Sequence, residues 1–321
     1  MLSRRDADRL QGATYWLRWH ACSEPGDGGI TAYVFTGDDQ PVLFGRLAAS
    51  ASEYATRIRS EDVALARASS LQAGYRGVLV PKFCTAEYGG TTSLWQTIVG
   101  RRSLLADLGR GAGRASIGSL LAPVLEFVTA CARRTGERGI EGVQFEALPA
   151  IAARLPDSTR ASILSCAPDF ERVLAAWPVT RCQHGDLWPG NLVIAPEGVA
   201  VVDWERYDMP RAAGYDLMFL LMHIACAVLG TPLERVTADD LAQAMEGRRG
   251  ASTDLASLYR DFAGPCGIGA FDWRTSAAVV LMDAFRIQAG VDASASSRPS
   301  AYLRLAARLW HTAPAAPPRS P

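Results

Sequence analysis
The apolar periodicity of this chain changes at Gly100, which restricts it to folds that keep a sheet and a helical body as separate parts. Before Gly100, Ile30–Phe35 and Val42–Leu47 are short apolar and β-branched runs flanking the turn signal Gly37-Asp38-Asp39, so a hairpin is expected over residues 30–47. From Ala51 to Leu71 the sequence is Ala-rich, with Ile58, Val63 and Leu65 at helical spacing. Strand patterns resume at Gly77–Phe83 and Ser93–Val99. These four strands and one helix give an α+β unit with an antiparallel sheet, and with a first strand ahead of the glycine cluster Ser23–Gly29 five strands are predicted up to about residue 99. After Gly100 helical patterns dominate: Ile117–Arg133, Ser158–Leu164, Asp169–Trp177, then about 214–229, 238–246, 253–263, 273–289 and 299–311. Short strands are expected at Val179–Cys182, Leu192–Ile194 and Val199–Asp203. The fold class read from this is α+β, with a small antiparallel-sheet lobe (1–99) and a larger, mainly helical lobe (100–311). Residues 312–321, rich in Pro and Ala, read as a disordered tail.

Charge and cysteine content narrow the functional classes. Lys+Arg and Asp+Glu balance at 33 each, so no basic footprint for nucleic acid is present. The longest apolar run, Leu217–Leu229, interrupted by His223, is too short to span a bilayer and reads as a buried helix. The N-terminus carries no apolar leader, and the seven cysteines are scattered without a C-x-x-C pair. Both features point to a reducing cytoplasm as the default location, with no disulfide framework or zinc site. Oligomeric state is not legible.

The chemistry-bearing stretch is His184-Gly185-Asp186-Leu187-Trp188-Pro189-Gly190-Asn191, followed by Val201-Val202-Asp203-Trp204-Glu205. Phosphoryl transfer needs a carboxylate to accept or orient the nucleophile's proton, and oxygen ligands for Mg²⁺ bridging the phosphates. Asp186 suits the base, while Asn191 and Asp203 offer the hard oxygens that Mg²⁺ prefers. Pro189-Gly190 supplies a sharp turn between them. His184 reads as a loop-holding residue rather than a base, and Trp188 as packing.

The pattern H-G-D-x-x-x-x-N followed by two apolar residues and D-W-E resembles the aminoglycoside phosphotransferase and choline kinase superfamily, relatives of the protein kinases. The resemblance runs over nearly the whole chain and implies a protein-kinase-like two-lobed fold. It also implies transfer of the γ-phosphate of ATP or GTP, with Mg²⁺, to a hydroxyl of a small molecule. Asp216, in Tyr215-Asp216-Leu217, falls where the family places a buried Asp that holds the catalytic loop. A basic residue on the third strand, paired with a helical Glu, belongs at the α/β-phosphates. Here those positions carry Arg46 and Glu61, with Glu53 as an alternative acid and Lys82 as an alternative cation, and the resemblance implies an ion pair between Arg46 and Glu61. Backbone groups near Gln96 and Ile98 are implied as holders of the nucleotide base.

Two departures stand out. Arg46 replaces the usual lysine; Lys82, the chain's sole lysine, lies at a strand start after Pro81 and reads as a surface residue. The glycine cluster Ser23–Gly29 is not G-x-G-x-x-G. These departures motivate an alternative, a pseudokinase-type nucleotide-binding or interaction protein. A peptide Ser/Thr kinase is a further alternative, although no activation-loop signature follows Asp203. The acceptor stays open among aminoglycoside-like antibiotic, sugar, amino alcohol or other metabolite. Twelve acidic and twelve basic residues from Glu205 onward give no excess of negative charge for a polycation.

Overall fold
The computed structural model describes residues 13–20, 28–36, 40–100, 102–109, 117–133, 157–180, 183–207, 209–248, 254–291 and 297–313. The glycine cluster up to Asp27, the Gly37-Asp38-Asp39 turn and the tail from Pro314 lie outside the described residues. The chain divides into two compact units, Met1–Ser103 with Asn191–Tyr207, and Leu104–Gly190 with Asp208–Pro321.

The first unit is built on a five-stranded antiparallel sheet in the order β1-β2-β3-β6-β5, comprising β1 (Thr14–His20), β2 (Gly29–Phe35), β3 (Pro41–Ala49), β5 (Phe83–Tyr88) and β6 (Thr91–Thr97). Helix α1 (Glu53–Gln72) starts at Ser52, whose hydroxyl accepts from the Ala55 N–H. It buries Ile58, Glu61, Leu65 and Leu71, against β3, β5 and β6. A second, four-stranded sheet runs β4-β10-β9-β7, from β4 (Val78–Leu79), β7 (Arg102–Ser103), β9 (Leu192–Ala195) and β10 (Gly198–Val201). Residues 191–207 group with the N-terminal segment because β10 pairs with β4 and β9 pairs with β7.

In the second unit α5 (Tyr215–Leu229) is the centre, buried along most of its length. Around it lie α2 (Leu104–Gly109), α3 (Ile117–Arg133), α6 (Ala238–Met245), α7 (Leu255–Ala263) and α8 (Trp273–Val291). Helix α9 (Ser297–Thr312) packs on α8 and on α4 (Asp157–Ala176). A two-stranded ladder, β8 (Val179–Thr180) with β11 (Arg211–Ala212), completes the unit. Among the described residues no helix is long and apolar enough to cross a membrane.

The α+β class, with its antiparallel sheet first and helices after, is as the sequence predicts. Three local expectations differ. The strand expected at Gly77–Phe83 is reduced to Val78–Leu79, which leaves the main sheet and pairs parallel with β10. Pro81 lacks the N–H that a continuing ladder requires. The fifth strand is instead Phe83–Tyr88, turned into β6 by Gly89 and Gly90, both at positive φ. Its Thr-Ala-Glu stretch lacks the apolar run that would have flagged it. Helix α4 is continuous where two helices were expected, because it runs through Pro168 at the loss of one backbone hydrogen bond.

The β9–β10 hairpin meets β4 so closely that Gly198, at φ 147°, has no room for a Cβ. A methyl there would lie 2.2 Å from the Gly77 carbonyl oxygen. Gly198→Ala is expected to lower unfolding stability by about 1–3 kcal/mol, measured by urea denaturation. A neighbouring Glu197→Ala change on the exposed turn is the control, expected to stay within about 0.5 kcal/mol.

Candidate functional site
The site residues fall into two groups, one in each unit. In the first unit Arg46 sits within β3, its side chain 13% exposed. Its Nη1 donates to Glu61 Oε2 at 3.0 Å and to Glu205 Oε2 at 3.0 Å, and its Nη2 donates to Asp203 Oδ1 at 2.6 Å. Glu61 is fully buried on α1 and also accepts from Gln96 Nε2 at 2.8 Å. Asp203 and Glu205 keep about a quarter to a third of their side chains exposed, at 31% and 26%. Burial opposes the charge of Arg46, but Glu61, Asp203 and Glu205 outweigh it and hold the guanidinium above its already high ordinary value. Burial pushes the Glu61 carboxyl up, against the pull of Arg46 and the Gln96 amide. The expected Arg46–Glu61 ion pair is therefore present, and it extends to two carboxylates that no spacing rule foretold.

Asp203 is the described non-glycine residue with positive φ, at 66°. A left-handed Asp at the end of a strand costs about 1–3 kcal/mol and persists only where its surroundings over-determine it. Here Trp204 is buried, and its indole N–H donates to the Val201 carbonyl oxygen at 2.9 Å, which fixes the turn. The Arg46 contact completes the hold. Asn191 is buried at the entry to β9, where its carbonyl oxygen accepts from the Val202 N–H at 3.0 Å. That bond ties it to the residue preceding Asp203.

The linker residues have other partners. Gln96 lies within β6, paired with Phe44 on one side and Phe83 on the other, and its amide faces Glu61. The Ile98 N–H donates to the Val42 carbonyl oxygen at 3.1 Å. The structure thus gives Gln96 a place in the buried charge cluster and leaves its main chain inside the sheet.

In the second unit Asp216 stands at the first turn of α5, entirely buried. Its Oδ2 accepts from the His184 N–H at 2.5 Å and its Oδ1 from the Gly185 N–H at 2.9 Å. Burial pushes its carboxyl up against the opposing pull of His184, these two N–H groups and Arg211. The Asp186 N–H donates to His184 Nδ1 at 3.3 Å, and Asp186 itself is half-buried. Gly185 takes φ 79°, a conformation that a side chain would strain. Leu187 is wholly buried and fastens the loop beyond Asp186.

Three partners were missed at the level of sequence. Glu205 is the last of the three D-W-E residues but carried no assigned role. Gln183 bridges the loop to α5: its Nε2 donates to the Ala212 carbonyl oxygen at 2.9 Å and its Oε1 accepts from the Asp216 N–H at 3.1 Å. Arg211 is fully buried, with its Nη2 donating to the Gly185 carbonyl oxygen at 3.0 Å. A charged residue between Pro210 and Ala212-Ala213 was the available signal.

Among the described residues no group of three or more His, Cys, Asp or Glu side chains is arranged to hold a metal ion.

The family model described as "Phosphotransferase enzyme family" matches residues 22–251. No curated protein matches the chain in sequence. Among solved structures, a thermostable mutant of the aminoglycoside phosphotransferase APH(4)-Ia, in ternary complex with ADP and hygromycin B, superposes with a TM-score of 0.50 at 11% identity, covering 94% of this chain and 96% of that one. A second mutant of that protein, with AMP-PNP and hygromycin B, gives 0.51 at 10% identity, over 91% and 93%. At such identity the likeness is one of fold.

The loop also carries a pH-sensitive neighbour. His223 on α5 packs its ring on Phe219 at 4.2 Å and lies 6.2 Å from that of Trp188. Its Nδ1 is 2.9 Å from the Phe219 carbonyl oxygen. Burial lowers its pKa, against the raising influence of the Phe219 carbonyl and the more distant charges of Asp186 and Glu234. A lowered value means the folded state favours neutral imidazole. This stability contribution is complete above the ordinary value of about 6.5 and is lost as pH falls toward the lower folded value. Wild-type unfolding free energy is therefore expected to fall more steeply below about pH 6.5 than that of His223→Gln. Parallel urea titrations across that range check this; superimposable pH profiles would exclude it.

Proposed function
Because the chain belongs to the phosphotransferase enzyme family, we propose that it transfers the γ-phosphate of ATP or GTP to a hydroxyl of a small molecule, with Mg²⁺. The observation that carries this reading is the buried clamp on the loop preceding Asp186, together with the strained, charge-bound Asp203. One chain segment thus holds a carboxylate suited to proton acceptance, and another holds a carboxylate against a cation.

In this reading Asp186 accepts the proton of the attacking hydroxyl, or orients that hydroxyl, and does not touch the metal. Asp203 and Asn191 are the Mg²⁺ ligands. The donor set fits: both offer hard oxygens, and the Asp203 carboxylate already accepts a cationic partner, the Arg46 guanidinium, at 2.6 Å. A site with few protein ligands suits Mg²⁺, which completes its shell with phosphate oxygens and water. When bound, the ion offsets negative charge on the β- and γ-phosphates. Arg46 contacts the α/β-phosphates, with Glu61 holding its guanidinium; a fork of donors serves this geometry differently from a lysine. Ile98, at the end of the linker strand, remains the candidate for contact with the nucleotide base. His184 and Asp216 support the loop. Residues 1–99 and 100–311 are proposed as the nucleotide-binding and catalytic lobes, and the cytoplasm as the location. The acceptor belongs among antibiotics, sugars, amino alcohols and related metabolites.

The test is paired. Asp186→Asn is expected to lower turnover about 10²–10⁴-fold while Mg-nucleotide affinity stays close to wild type. Asp203→Asn is expected to weaken Mg-dependent nucleotide binding and to abolish turnover together. Calorimetry with Mg-ATP and Mg-GTP, and phosphate transfer across a panel of hydroxylated acceptors, provide the two readouts. Full activity in the first variant, or normal Mg-nucleotide binding in the second, would sink the assignment.

A further inference from the structure
Arg211 carries a buried charge that the proposed roles leave unused. It is the first residue of β11, 0% exposed, and its guanidinium lies 4.8 Å from the centre of the Tyr215 ring. Its Nε and Nη1 are buried without a hydrogen-bond partner. Its Nη2 makes one directed bond, to the Gly185 carbonyl oxygen. A residue needed only to fill this space would be apolar, because a buried guanidinium loses its hydration and regains it here through a single hydrogen bond, the Tyr215 ring face and the charge of nearby Asp216. Arginines that serve as structural cross-links satisfy several donors; this one serves mainly one acceptor.

That acceptor is informative. The Gly185 carbonyl belongs to the same peptide plane as the Asp186 N–H, so its direction sets the orientation of the Asp186 Cα. Asp216 fixes the preceding part of the loop by its grip on the His184 and Gly185 N–H groups. Those two bonds do not fix the Gly185–Asp186 peptide itself: its N–H side is met by the 3.3 Å bond to His184 Nδ1, long for a hydrogen bond, and glycine at φ 79° has no side chain to resist rotation. Gln183 and Asp283 fix the segment from which Arg211 projects, through the Ala212 carbonyl and N–H.

We propose that Arg211 is a positioning residue for Asp186, locking the peptide plane from which the carboxylate is presented. The proposal rests on the role given to Asp186 above. It goes beyond the family's buried aspartate, because it assigns the second hold on the loop to a cation of this chain.

The experiment is a double-mutant cycle on the full chain, with Mg-ATP and water as acceptor, reading ADP formation. The variants are Arg211→Met, Arg211→Lys, Asp186→Asn and the Arg211→Met/Asp186→Asn pair, each assayed below its own unfolding transition. Arg211→Met is expected to lower kcat about ten- to a hundredfold with the KM for Mg-ATP unchanged. Arg211→Lys, whose ammonium can still reach the carbonyl, is expected to recover most of that loss. In the Asp186→Asn background the Met substitution is expected to cost nothing further, since a residue acting through Asp186 has no effect once that carboxylate is gone. Equal losses in both backgrounds, an unchanged kcat in Arg211→Met, or a Lys variant no better than Met would overturn the proposal. Should Arg211→Met fail to fold, Arg211→Gln takes its place in the cycle. An Asp186→Asn variant with wild-type ADP formation would overturn the base assignment and this inference with it. Loss in Asp186→Asn with none in Arg211→Met would overturn this inference alone.

Discussion
The guanidinium of Arg46 bonded to Glu61, Asp203 and Glu205 is the interaction on which the order of the first unit turns. It joins a sheet strand, the buried face of α1 and the segment after β10, which are distant in sequence. Its energetics are conditional. Glu61 has no solvent contact, so removal of Arg46 would strand a buried negative charge, an effect of about 3–5 kcal/mol in comparable pairs. Gln96 satisfies the second oxygen of Glu61 and so keeps that carboxylate from needing water. The two outer acids are partly exposed and contribute less to stability. Their importance is that they hold a cation at the place where the chain leaves β10 in a strained turn.

The second unit solves a parallel problem with opposite charges. A loop rich in backbone N–H groups is held by a buried carboxylate, Asp216, and its carbonyl side is met by a buried cation, Arg211. Between them they account for the polar groups on both sides of Gly185. Gln183 then ties the support to itself by bonding both Ala212 and Asp216. The Asp216 and Gln183 parts of this network are rigid because their polar atoms would be costly to leave unpaired in a low-dielectric interior. Rigidity of this kind is what a positioned proton acceptor requires.

The chain belongs to the phosphotransferase enzyme family, and the backbone of Asp203 is held locally, by the Trp204 indole on the Val201 carbonyl oxygen and by the Arg46 guanidinium. Strained residues persist where their surroundings fix them, and they concentrate at functional sites. Arginine on β3 keeps a permanent charge against three carboxylates, which a single ammonium could not reach with comparable geometry.

The sequence alone determined the sheet-then-helices order, the hairpin at 30–47, the helix over the fifties and sixties, the buried run at 217–229 and the identity of the motif residues. These depend on local periodicity and on spacings within short segments. The pairing of Arg46 with Glu61 was also legible, though only through the family's pattern. Tertiary structure decided the rest. The edge strand Phe83–Tyr88 has no apolar run of its own and forms because β6 offers it a partner. Val78–Leu79 joins a different sheet because β10, more than a hundred residues later in the chain, lies alongside it. Glu205, Gln183 and Arg211 gained their roles from neighbours that sequence spacing cannot reveal. A buried charge is stabilised by whatever opposite charge or dipole the fold brings to it, and that meeting is a property of three-dimensional packing.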